Sequence, residues 1–262
     1  MKRIRIGALV AVAAVSLCAV TATGASATLP EVGRCVPAEG KTGEYGGRAC
    51  IKPAGGKGTY NWLPGPGAAP KFEGSSATVP ILEMPGLKIS CAAATFSGEY
   101  TGAKTASVTV DLIGCVNTAT NRECQSNPAK EGEIEPPGTL EGEIGYININ
   151  GLQKVGLDLK RSPIITTFTC GKPAEIPAEV TGTLEGSVIG QIQPLNAMRT
   201  EYRLRYKAEG GKQIPESFEG GENDTLKAKL VSGLAAPTEV PAALRIKLVE
   251  LVNEEALEIK AK

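Results

Sequence analysis

The chain has 262 residues, with 28 basic and 28 acidic side chains and no histidine. The missing imidazole excludes Ser-His-Asp and Cys-His nucleophile pairs, histidine general bases and histidine-ligated zinc, copper or iron. With 32 glycines, 18 prolines and 4% aromatic residues, the composition suits short strands and turns better than long helices.

Residues 1–27 read as a signal peptide. Lys2, Arg3 and Arg5 form a basic start, Gly7 to Val20 carries no charge, and Ala25-Ser26-Ala27 fits the small-residue pattern of a cleavage site. The apolar stretch is shorter than the ~20 residues a membrane helix needs, and no later segment reaches that length. Cys18 does not fit lipid attachment, because Leu17 stands where a small residue is required. The expectation is secretion, with the mature chain starting at Thr28 and no membrane span after cleavage. Removing the leader takes three of the 28 basic residues and none of the 28 acidic ones, leaving a net charge of −3. Nucleic acid and anionic membranes both need a basic patch. None is visible along the chain, so neither is an expected partner.

Beyond the leader, Tyr60 and Trp62 share one face of a short strand, followed by Leu63-Pro64-Gly65-Pro66-Gly67. An exposed Trp beside a Tyr could stack on a sugar ring, and a buried one would pack in a core. Val108, Val110 and Leu112 alternate with polar residues, which is the signature of a half-buried strand. Glu131, Glu133 and Glu135 alternate next, followed by Glu141 and Glu143. A glycosidase works with two such carboxyls at a set separation, whereas a solvated strand face shows the same pattern. Gly138-Thr139-Leu140-Glu141-Gly142 recurs as Gly182-Thr183-Leu184-Glu185-Gly186, which reads as two similar strands in related positions of one sheet system. Further alternating runs lie at Tyr146 to Asn150, Ile164 to Thr169 and Glu201 to Tyr206, with Gly151, Gly171, Gly210-Gly211 and Gly220-Gly221 at turns. Glu219, Glu222, Asn223 and Asp224 put oxygen ligands on one loop but lack the alternating order of a calcium loop, so no metal site is assigned. From Ala242 to Lys260, helix formers compete with the alternation of Leu244, Ile246 and Leu248.

Six cysteines remain after the leader: Cys35, Cys50, Cys91, Cys115, Cys124 and Cys170. An even number in an exported chain reads as disulfides. Spacing does not fix their pairing. Local closure favours Cys35–Cys50 and Cys115–Cys124, which leaves Cys91–Cys170 by elimination. The fold class is therefore all-β, a single domain over 28–262 stapled by disulfides. An antiparallel β-sandwich is the leading architecture and a β-barrel the alternative.

Several stretches together resemble a family of exported actinobacterial β-rich proteins without an established activity. They are Gly55-Gly56-Lys57-Gly58-Thr59-Tyr60-Asn61-Trp62, Ser97-Gly98-Glu99-Tyr100-Thr101-Gly102, Phe218-Glu219-Gly220-Gly221 and Asn253-Glu254-Glu255-Ala256-Leu257-Glu258-Ile259, together with the spaced cysteines. The resemblance implies export, a β-rich body and strands in the C-terminal stretch, and it carries over no catalytic or binding residue.

The chain has no G-x-S-x-G elbow, Walker A loop or Rossmann glycine fingerprint, and no cofactor is expected. The functional reading is a non-catalytic extracellular protein, structural or binding, of the cell envelope or secretome. Its partner class would be an extracellular glycan or an envelope component. The alternative is a carboxylate-dependent polysaccharide hydrolase, since acid–base work would fall to glutamate once the thiols are oxidised.

Overall fold

The computed structural model describes residues 29–171, 180–215, 217–221 and 225–261; residues 1–27, expected to be a signal peptide, lie outside them. Eight strands form the body: β1 (Lys71–Ser76), β2 (Ala93–Tyr100), β3 (Thr105–Ile113), β4 (Leu140–Ile149), β5 (Leu152–Lys160), β6 (Ser187–Gln193), β7 (Arg199–Tyr206) and β8 (Ala243–Lys260). Each pairs antiparallel with the next, and β8 returns to β1. The all-β expectation thus holds in its barrel form, an up-and-down barrel with insertions. Closure gives the eight strands no open edge, which a sandwich would have left on each sheet.

Local sequence explains the meander. The β4–β5 hairpin turns on Asn150-Gly151, both at positive φ (+52° and +76°), with Ile149 paired to Leu152. Two positive-φ residues make a type I′ turn, whose twist matches that of the flanking strands. An eight-stranded lumen is just wide enough for side chains to fill, and aromatic rings fill it here. Phe96 stacks on Tyr206 at 6.1 Å between ring centroids, and Phe72 lies 5.0 Å from Tyr100. Gly98 sits directly opposite Phe72, where a Cβ would come within 2.7 Å of the ring.

The insertions build on both ends. Glu31–Pro37 pairs with the last residues of β8 and with Tyr60–Pro64, extending the wall into an N-terminal sheet with Gly43–Tyr45 and Pro53–Gly58. Cys124–Gln125, Thr166–Cys170, Val180–Glu185, Lys227–Ser232 and Thr238–Pro241 form a separate five-stranded sheet. Its Leu184, with Ile165 and Leu226, meets Phe96, Leu159 and Leu244 of the barrel around an apolar cavity of about 60 Å³.

Three expectations are corrected or resolved. The Gly-Thr-Leu-Glu-Gly echo does not mark equivalent strands. The first copy enters β4 of the barrel, while the second runs through Val180–Glu185 of the five-stranded sheet. There Gly182 lies under the Phe168 ring, a packing role the first copy does not have. The C-terminal stretch is a single strand of 18 residues, not a helix. As a strand it pairs with β1 and β7 and, further along, with Glu31–Pro37; a helix would leave those edges unpaired. Leu257 and Ile259 are buried, with Ala261 half-buried.

All six cysteines are in disulfides, and Cys35–Cys50 is as expected. Cys115–Cys124 and Cys91–Cys170 are not formed. The bonds are Cys91–Cys115 and Cys124–Cys170. Register decides this. Cys124 lies directly opposite Cys170, and the pairing of Val116 with Ser90 brings their neighbours Cys115 and Cys91 together. Short sequence separation lost to strand pairing. Three such bonds suit an oxidising compartment.

Candidate functional site

Because side chains alternate along each strand, the filled lumen sends the other half of every barrel strand outward. On the outer wall two shallow grooves, of about 580 and 760 Å³, meet at Val252, which is 53% exposed. Lys71, Glu73, Ser97, Glu99, Ser107 and Thr109 line one, and Arg199, Glu201, Arg203 and Glu250 line the other. These grooves offer hydroxyls and charges of both signs, and the aromatic residues that line them, Phe72 and Tyr202, are buried.

The glutamates singled out by spacing are dispersed. Glu143 lies opposite Asp158 across the β4–β5 hairpin and binds Lys160 at 3.0 Å. Burial pushes the Asp158 carboxyl up, while Ser187 and Lys160 draw it back. A carboxyl with a raised pKa beside a second carboxyl is the pairing a glycosidase uses, but Asp158 is only 5% exposed and so has no access to a substrate. Glu141 is exposed on the same wall. Glu131 lies beside Glu123, and its hydrogen bond and charge push the Glu123 carboxyl up in open solvent. Glu133 pairs with Ile113, and the Glu135 backbone is held by Ser126 and Thr166. In the loop that lacks the calcium-binding order, the Glu219 carboxylate accepts the Tyr146 amide at 2.7 Å; Glu222, Asn223 and Asp224 lie outside the described residues.

Trp62 is neither a free platform nor a core residue. Its Nε1 donates to Glu31 at 2.6 Å, and a Cβ on Gly33 would strike its ring. The Lys260 ammonium sits 4.7 Å from the Trp62 ring centroid and 4.2 Å from that of Tyr45, and donates to the Tyr45 hydroxyl at 2.8 Å. Tyr60 lies apart, its hydroxyl accepting from Arg48. Two residues upstream of Lys260, Glu258 is buried with neither carboxylate oxygen hydrogen-bonded, and burial pushes it up to about 7 against the pull of Lys260. Glu31, Glu258, Lys260, Tyr45 and Trp62 thus form a charged seam between the N-terminal sheet and the barrel. Sequence reading missed it, although Glu258-Ile259-Lys260 set two charges into an apolar strand.

A basic patch was not expected, and the fold assembles one. Tyr206 of β7 pairs with Ile246 of β8, and both are buried. The flanking Arg205, Lys207, Arg245 and Lys247 therefore point outward, around a groove of about 290 Å³. Arg245 is held by buried Glu83 at 2.7 Å. Arg205, Lys207 and Lys247 have no acidic partner among the described residues. The halves of the patch stand about forty residues apart in sequence, which hid it.

Comparison of the chain with family models, curated proteins and solved structures finds no match.

Proposed function

We propose that the mature chain acts outside the cytoplasm as a non-catalytic protein that binds through its outer surface, at the cell envelope or in the secreted fraction. The observation that carries this is the filled lumen: Phe96 stacked on Tyr206, and Phe72 against Tyr100, occupy the space where an enzymatic barrel would admit substrate. The absence of histidine from the sequence supports it, as does the sealed position of Asp158, a carboxyl with a raised pKa and an acidic neighbour across a hairpin. Three disulfides and the leader-like start support export. The test is to incubate the purified protein with a panel of fluorescently labelled polysaccharides. No turnover is expected. Turnover that disappears in Glu141→Gln or Glu143→Gln would make the protein a hydrolase and overturn the reading.

A further inference from the structure

The N-terminal sheet is built as a unit of its own. Its four strands, Glu31–Pro37, Gly43–Tyr45, Pro53–Gly58 and Tyr60–Pro64, pair with one another, and the Cys35–Cys50 disulfide lies inside it. Cys91–Cys115 and Cys124–Cys170 lie beyond it, so among the described residues no disulfide fastens this sheet to the barrel. The chain runs from it into β1 through residues 65–70. The sheet docks where Glu31, Val32 and Gly33 face Lys260, Ile259 and Glu258 at the end of β8. Val32 and Ile259 turn into the core, and both are buried. The opposite face of this ladder carries Glu31, Gly33, Glu258 and Lys260. A docked sheet with its own crosslink can open as a unit without unfolding the barrel.

The face that docking covers holds two carboxyls and one ammonium. Glu31 is 4% exposed, Glu258 0% and Lys260 7%. The ammonium is held from the far side of the seam. It donates to the Tyr45 hydroxyl at 2.8 Å and to the Cys50 carbonyl at 3.2 Å, and the Tyr45 and Trp62 rings flank it. Glu31 accepts from Trp62 Nε1, and the Trp62 ring lies over Gly33. Glu258, directly opposite Gly33, has no hydrogen bond on either oxygen. Neighbours on other elements do not relieve it. Arg199 of β7 pairs with Leu257 and is exposed, and the Tyr202 hydroxyl donates to the Leu257 carbonyl. The Tyr100 hydroxyl of β2 turns to Asn253, and Arg34 alternates to the other side of its strand. Ionised, Glu258 would add a second buried negative charge against one positive charge. Burial therefore keeps its proton on and moves its ionisation up to about 7, against the pull of Lys260. Undocking the sheet opens that carboxyl to water.

We propose that this seam is a pH-operated clasp, which holds the N-terminal sheet against the barrel while Glu258 is protonated and loosens when Glu258 ionises. Linkage gives the sign. The undocked carboxyl ionises near 4.5 and the docked one near 7, so between these values undocking releases a proton and becomes easier as pH rises. The gap caps the change at about 300-fold. The experiment is amide hydrogen exchange of the purified protein at pH 5 and pH 8, read by mass spectrometry with intrinsic exchange rates divided out. Peptides from residues 31–64 should lose about 100-fold in protection between the two pH values. At pH 8 they should also be about tenfold or more less protected than peptides from β2 and β3, because the sheet opens while the barrel stays closed. In Glu258→Gln the pH effect on residues 31–64 should shrink to under about threefold. Protection in the parent that does not change with pH would overturn the proposal. So would an equal fall in Glu258→Gln, which would assign the titration to another group. Equal protection of sheet and barrel at pH 8 would also overturn it, by showing that the two open only together.

Discussion

Raising the pH from 5 to 8 ionises a carboxyl that the fold has sealed. Glu258 is 0% exposed, and neither of its oxygens has a hydrogen-bond partner. In the unfolded chain it ionises near 4.5; in the folded chain burial delays this to about 7. Between those values the unfolded chain has released a proton that the folded chain keeps. Stability therefore falls as pH rises through this window and stays lowered above it. At ~1.36 kcal/mol per pH unit, the gap between 4.5 and about 7 caps the loss at about 3 kcal/mol. The charge of Lys260 already limits the shift. The assay is urea unfolding at pH 5 and pH 8 on the parent and Glu258→Gln, an uncharged variant of the same shape. The parent should lose about 2–3 kcal/mol more than the variant between the two pH values. Buried Asp158 pushes in the same direction, so the difference between parent and variant is the quantity that counts. Parallel pH profiles for the two proteins would refute the reasoning.

The other expectations are simpler. Lys260→Met removes the cation from Tyr45 and Trp62 and leaves two buried carboxyls, Glu31 and Glu258, without it; a loss of about 3 kcal/mol in urea unfolding is expected, and under 1 kcal/mol would show the seam contributes little. Non-reducing peptide mapping should yield Cys91–Cys115 and Cys124–Cys170, and Cys124→Ala/Cys170→Ala, which opens a 46-residue separation, should cost about 4 kcal/mol. Phe72→Ala should cost about 3–5 kcal/mol, because the ring fills the lumen over Gly98; a loss below 1 kcal/mol in thermal or urea unfolding would show a lumen able to collapse. N-terminal sequencing of secreted protein should begin at Thr28, and an intact Met1 would remove the export reading.

The sequence by itself determined the secondary structure class and the chemistry that is missing. Alternation at Val108, Val110 and Leu112 and the Asn150-Gly151 turn are local features, and local features survive into any β fold. The absence of histidine holds whatever the fold. Sandwich or barrel was beyond it, because closure depends on β8 reaching β1, a contact between residues some 175 positions apart. Cysteine pairing failed for the same reason: Cys124 meets Cys170 through strand register, and spacing along the chain carries no record of register. The charged seam and the basic groove are likewise products of pairing. Lys260 reaches Tyr45, and Arg205 comes alongside Lys247, only once β8 lies against its neighbours. Alternation tells which side of its own strand a residue occupies. Which strand lies beside it is decided by burying the apolar sides together, and that is a property of the whole chain.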